Sequence, residues 1–298
     1  MRPSVIAALA KRNLLLYFRD RATVFFSLLA PLIILMLYVL FLGDIQTQSV
    51  LSSIPEGATV SDKAVRGFVD AWMLAGVVSV SCLTVSLNCM TTMVSDRKNR
   101  ITDDYLTAPV SQATVTMSYF VSFLAVTLLV SVAIYAVALA YLGICGTFFM
   151  SALDVLEGLG VLALSCLSST FVMMFILSFF TSTDAVGAFM GIFSAVIGFL
   201  IGAYMPMSIM PVGVQYATCF VPGTYSAGLF RNVFMSGALE NLSAGLPEVG
   251  AGLREAFTLE VNLFGTPAGK GVMYALLALS VLLFLGANLL RRRLAKSK

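Results

Sequence analysis

Apolar and polar positions follow one another along this chain in long blocks. A helix needs about 20 apolar residues to cross the hydrocarbon of a bilayer. Blocks of that kind lie at about 22–43, 71–94, 115–142, 152–180 and 271–290. Between the last two, residues 185 to 230 carry no charge at all, which is too long for one helix. Pro206, Pro211 and Pro222 fall in its second half and argue against a single straight rod. We read this run as a fifth span at 185–204 followed by a re-entrant helical hairpin at 205–230, entering and leaving by the same outer face. Irregular backbone at that depth must be packed against protein. The segment 1–21 mixes Leu, Val and Phe with Lys and Arg, which predicts an amphipathic helix lying in the membrane interface. The expected fold is therefore a single all-α integral membrane domain over 1–298 with six transmembrane helices. Breaks fall at Pro55-Glu56-Gly57, at Ser151-x-x-Asp154, which has capping-box spacing, and at Thr181 to Asp184.

Composition agrees: 59% of the 298 residues are hydrophobic and 11% are charged, against roughly 25% charged in soluble proteins. Charge fixes the orientation. Arg2, Lys11, Arg12, Arg19 and Arg21 crowd one end, and Arg291, Arg292, Arg293, Lys296 and Lys298 the other. Positive residues favour the cytoplasm, so both termini are expected there and the number of crossings must be even. Adding Arg97, Lys98 and Arg100 gives thirteen basic residues inside, against Lys63, Arg66, Arg231, Arg254 and Lys270 outside. Basic residues are sparse through the middle, which excludes a nucleic-acid face. Five cysteines, an odd number, exclude a complete disulfide framework, and no histidine is present to serve as base or metal ligand. No metal site is expected. G-x-S-x-G, H-E-x-x-H and the P-loop pattern are all absent, so the chain is expected to be no enzyme by itself and to bind no cofactor.

Candidate chemistry is concentrated between the second and third spans. Asp96, Arg97, Lys98, Arg100, Asp103 and Asp104 are followed at once by Tyr105 and Leu106. An apolar pair on a charged helix suits docking into a partner's groove, and a solvated loop is the alternative. Gly187, Gly191, Gly198 and Gly202 form two G-x-x-x-G pairs offset by seven residues. On one helix they would share a face that lets another helix approach closely, within this chain or in a second copy. Asn88, with Thr84 and Thr91, is the main polar point of the second span and a candidate for a substrate path. No charge stands at the centre of a span, which argues against a self-powered carrier. The 15 methionines and 22 phenylalanines supply adaptable apolar surface for a hydrophobic substrate or for lipid.

Three stretches resemble the permease subunits of ABC-2-type ABC transporters. Leu9-Ala-Lys-Arg-Asn-Leu-Leu-Leu-Tyr-Phe-Arg-Asp20 leading into Pro31-Leu32 is similar to that family's interfacial helix and first span, with Arg12, Arg19 and Arg21 on it. Residues 96 to 111, ending Tyr105-Leu-Thr-Ala-Pro-Val-Ser111, resemble the coupling helix that docks on the ATPase. Met205-Pro-Met-Ser-Ile-Met-Pro211 followed by Pro222-Gly-Thr-Tyr225 and Arg231 resembles the outer re-entrant helices before the last span. Where the family often has Gly-Thr, this chain has Arg100-Ile101-Thr102. The resemblance implies an export permease of the plasma membrane (the inner membrane of a bacterium). Its partners would be two copies of an ABC ATP-binding subunit, carrying ATP and Mg, and a second permease in a homodimer or heterodimer within membrane lipid. The implied cargo is a hydrophobic or amphipathic drug, lipid or peptide-like molecule. A polysaccharide or lipid-linked glycan is the alternative, and an ATPase-independent carrier or a non-transport membrane protein stands further off.

Overall fold

The computed structural model describes residues 3–52, 61–244 and 247–296. The Pro55-Glu56-Gly57 break and the two outermost basic residues, Arg2 and Lys298, lie outside them. So do the side chains of Leu106, Arg292, Arg293 and Lys296.

Helix α1 (Pro3–Arg19) ends at Asp20, whose carboxylate accepts the N–H groups of Ala22 and Thr23 and so caps α2 (Arg21–Leu37). One π-helical turn, Tyr38–Leu42, carries α2 on into α3 (Gly43–Ser52). Helices α4 (Asp62–Cys89) and α5 (Thr91–Lys98) form one rod, and α6 (Ile101–Thr107) turns away from it. Then come α7 (Gln112–Ile144), α8 (Ala152–Leu177), which starts with the expected Ser151–Asp154 capping box, and α9 (Thr183–Leu200). Short helices α10 (Val212–Thr218), α11 (Pro222–Phe234), α12 (Ser236–Ser243) and α13 (Pro247–Ala256) precede a two-stranded ladder and the last helix, α14 (Lys270–Lys296). Six rods are long and apolar enough to cross a membrane: Arg21–Ser52, Asp62–Lys98, Gln112–Ile144, Ala152–Leu177, Thr183–Leu200 and Lys270–Arg291. The chain is an all-α membrane protein apart from that ladder.

The ladder, β1 (Val261–Leu263) against β2 (Thr266–Ala268), was not legible in the polar stretch before α14. It turns at Phe264 and Gly265, with φ of 51° and 95°. Two central residues with positive φ match the twist of a tight hairpin, and Asn262 Oδ1 accepts the N–H of Gly265 at 2.8 Å.

Helix α4 is the axis of the bundle. It packs against α2, α7, α8 and α11, and every residue from Gly67 to Met90 is buried. Small and hydroxyl side chains let its neighbours close in. Gly76 faces the backbone of Ala203, and the hydroxyl of Ser79 lies 3.4 Å from that of Ser226, which in turn meets Ser165 at 2.6 Å. The second span was expected from residue 71 with Asp70 as its boundary. Instead α4 begins at Asp62 and Asp70 lies inside it, buried, accepting from Tyr38 Oη at 2.8 Å and Thr147 Oγ1 at 3.1 Å. Two hydroxyl donors allow the carboxylate to be buried inside the helix.

The fifth span ends at Leu200, before the expected 204, and α11 runs beyond the expected 230 to Phe234. Helices α10 and α11 are joined by a short turn. Pro222 is the first residue of α11, where its missing N–H costs nothing. Tyr225 Oη donates to the Cys219 carbonyl at 2.5 Å across the turn. Pro206 and Pro211 stand as the residues before a one-turn 3₁₀ helix, Met207–Ile209, and before α10. Helix α11 is enclosed by α4, α8 and α14.

The bundle has two distinct ends. At the basic end, Arg12 of α1 meets Asp96, and both Arg97 and Arg291 of α14 donate to the Ser178 carbonyl. At the hairpin end, α12 starts against Phe149, beside the α7–α8 connection.

Candidate functional site

At the basic end, three elements meet on one carboxylate. Asp96, near the end of α5, is buried and accepts from Arg12 Nη1 at 2.5 Å, Arg12 Nη2 at 3.0 Å and Tyr119 Oη of α7 at 2.6 Å. This is a two-pronged guanidinium–carboxylate pair, the geometry in which Arg binds most specifically. The Asp96 carboxylate holds the Arg12 guanidinium above its ordinary value. Arg12 also donates to Asn13 Oδ1 at 3.0 Å, and its guanidinium carbon lies 5.8 Å from the centre of the Tyr105 ring of α6. Burial pushes the Tyr105 phenol upward. Helices α1, α5, α6 and α7 are thus clamped together.

The charged segment divides by direction. Asp96 points inward. Arg97 donates to the carbonyls of Ser178 and Phe180 at 3.1 and 3.2 Å, and Lys98 to Thr183 Oγ1 at 2.7 Å, tying the segment to the α8–α9 connection. Arg100, Asp103 and Asp104 are exposed, and Tyr105 is half-buried. Arg100 has φ of 58°, a left-handed conformation, and its carbonyl starts α6 by accepting from Asp103 and Asp104. Arg19 and Arg21 are exposed and stand apart from the clamp that holds Arg12.

Two adjoining cavities run along α9, of about 560 and 680 Å³, and they share Thr23, Gly187 and Met190 in their walls. The first lies at the basic end and includes Arg12, Asp20, Thr91 and Asp96. The second lies between α2 and α9, is lined by side chains such as Phe26, Asn88, Ser194 and Phe199, and carries no charged residue. Asn88 and Thr91 therefore face the groove. Thr84 does not: it is fully buried, and its hydroxyl donates to the Ser27 carbonyl at 3.2 Å, tying α4 to α2.

The four glycines do not share one helix face. Gly187 and Gly191 are open on the groove side of α9, with nothing near a notional Cβ. Gly198 is covered by the Tyr204 ring, a contact within the chain. Gly202 lies past the end of α9, in a turn with φ of 70°. The helix stops two residues before the spacing would place it on that face.

Sequence reasoning placed Arg231 at the end of the stretch resembling the outer re-entrant helices and among the external charges, and gave it no role of its own. It is fully buried and donates to the carbonyls of Thr258, Ile201 and Gly202. Its Nε, and Nε1 of nearby Trp72, have no acceptor. Each buried orphan donor costs about 1–3 kcal/mol. The available signal was its position, directly after a long uncharged run.

The family model described as ABC-2 family transporter protein matches residues 43–290. The chain belongs to the ABC-2 transporter family. No curated protein matches it. An ABC-2 chain is the membrane part of an ABC transporter and works, in general, with an ATP-binding partner. The matched region of this ABC-2 protein holds the segment 96–106, α9, the α10–α11 hairpin and α14 as far as Leu290. The Arg12 side of the clamp and the α2 wall of the groove precede it.

Proposed function

We propose that this ABC-2 protein is the transmembrane subunit of an ATP-driven exporter that moves a hydrophobic or amphipathic molecule out of the cytoplasm or inner leaflet. The observation that carries this reading is the groove along α9: polar and charged where it begins at the basic end, and without charge over the length that follows. Such a lining accepts an uncharged or amphipathic body, while a highly charged solute would lose its hydration with no charge to replace it. The basic end faces the cytoplasm, in keeping with the positive-inside rule, and the α10–α11 hairpin dips into the membrane from the opposite face.

The chain binds no nucleotide and is no enzyme alone. ATP and Mg belong to two ATP-binding subunits docked against α6 through Tyr105 and Leu106. Their closure pushes on α6. The Asp96 clamp carries that push to α1 and α7, and Lys98 carries it to the start of α9. The bundle then passes between two packed arrangements rather than bending continuously. A second permease completes the path on the open side of α9, where Gly187 and Gly191 leave space.

Affinity purification of the tagged chain from its native membrane tests the reading. An ATP-binding cassette protein should come down in near-equal amount, and its absence from a folded preparation would sink the proposal. In membrane vesicles, ATP-dependent uptake of a hydrophobic dye should be lost in Leu106→Asp with the chain still inserted. Normal uptake in that variant removes α6 as the docking helix.

A further inference from the structure

Three stretches of chain converge on one guanidinium. Arg231 of α11 donates from Nη2 to the carbonyls of Ile201 and Gly202, at 2.9 and 2.7 Å, and from Nη1 to that of Thr258 at 3.2 Å. Ile201 and Gly202 follow directly on α9. The last carbonyls of a helix have no partner within it and form the negative end of its dipole, so a buried cation is well matched to them. The turn it grips is tight. Ala203 and Tyr204 both donate to the Gly198 carbonyl, at 2.7 and 3.2 Å. A Cβ on Gly202 would lie 2.7 Å from Met207 Cγ and 3.0 Å from Arg231 Nη2. Thr258, on the far side, is itself left-handed with φ of 55°, and its hydroxyl accepts the Met207 N–H at 3.1 Å. Asn232, next to Arg231, donates to the Leu259 carbonyl at 2.5 Å.

No carboxylate pairs with this arginine among the described residues, where the ion pairs are Arg12–Asp96 and Lys270–Glu157. A carboxylate would tie the guanidinium to another side chain. Carbonyl partners make it hold backbone, here the end of one helix. The Arg231 guanidinium carbon also lies 5.9 Å from the centre of the Trp72 ring. The held turn also bears on the groove. Tyr204 meets Phe199 edge-on, with ring centres 4.7 Å apart and planes at 62°, and both line the uncharged cavity. The other end of α9 is tied to Lys98.

We propose that Arg231 is the positioning residue for the hairpin end of α9, pinning the turn after it, and with it the Tyr204 and Phe199 rings that line the groove, through the carbonyls of Ile201 and Gly202. The inference rests on the export reading, in which that end must open once per cycle.

The test uses Phe199→Cys in a background where Cys145, the exposed native cysteine, is changed to serine. Labelling by a charged, membrane-impermeant maleimide is followed in intact cells. Adding Arg231→Gln should raise the labelling rate about tenfold, the signature of an end that opens locally. Arg231→Lys keeps the charge and should fall between the two. Equal rates in parent and Arg231→Gln, at equal amounts of inserted protein, overturn the proposal. If Arg231→Gln does not accumulate, hydrogen exchange on the parent chain decides. Amides 202–204 should exchange as slowly as the middle of α9, and exchange at the rate of a frayed helix end overturns the proposal. ATP-dependent dye transport by the parent is scored separately. Faster labelling without such transport supports the arginine's role and removes the export reading, whereas transport with unchanged labelling does the reverse.

Discussion

Asp96 and Arg12 stand 84 residues apart in sequence, yet they form the tightest ion pair among the described residues. The sequence set Asp96 among six charges of equal standing. Which one turned inward depended on Tyr119 and Arg12, both distant in the chain, so local pattern could not single it out. Removing one partner of a mostly buried pair leaves the other uncompensated. A double-mutant cycle with Asp96→Asn and Arg12→Gln should give a coupling of about 1–3 kcal/mol, read from thermal unfolding of the purified chain. Arg100 supplies a contrasting case. Its left-handed φ is strained for a residue with a side chain. The resemblance noted glycine near this point, and the geometry gives the reason. Arg100→Gly should raise stability by about 1 kcal/mol in the same measurement. Asp20 adds a pH dependence. The Thr23 hydroxyl, with the N–H groups of Thr23 and Ala22, holds its carboxyl below the usual carboxylate range. Its cap is therefore complete above the unfolded value of about 4 and fades as pH falls through the lower folded value. Amide exchange at Ala22 and Thr23 should quicken below that point in the parent and be pH-insensitive in Asp20→Ala, after correction for intrinsic rates.

Elements were legible where length alone decided them. Six apolar blocks gave six rods, and the prolines announced a break after α9. Boundaries were less legible because they depend on distant partners. Asp70 looked like the edge of a span and proved internal, since Tyr38 and Thr147 satisfy it from α2's continuation and the α7–α8 connection. The glycine pattern was read as one face, and the early end of α9 divides it into open and filled halves. That division is testable. Gly187→Ala and Gly191→Ala add a methyl into open space and should leave the isolated chain as stable or more so, by up to about 1 kcal/mol each through helix propensity. If a second permease packs there, larger side chains such as Gly191→Leu should abolish crosslinking between copies without lowering the melting temperature. Gly237→Ala belongs to the other class. Its methyl would collide with the Phe149 carbonyl, a backbone atom that cannot swing aside. A loss of about 2 kcal/mol or more, and poor accumulation in the membrane, is expected.

At the scale of the whole molecule, α1, α6 and the end of α14 share one end of the bundle and α12 the other. Without Cys145, a cysteine at Ser236 should react with an impermeant reagent from outside the cell, and one at Lys296 only after the membrane is opened. Reaction of both from the same side would remove the assigned orientation. The burial of α4 bears on how such a chain is made. A segment enclosed on every side by its own neighbours has no stable lipid-facing state: α2, α7 and α8 pack against it, and Asp70 takes one of its two donors, Thr147, from the α7–α8 connection. During synthesis it emerges before two of those three. The nascent chain must therefore hold its most polar span at the edge of the insertion machinery, or in the care of a membrane chaperone, until more than 80 further residues have been made and the cage can close around it.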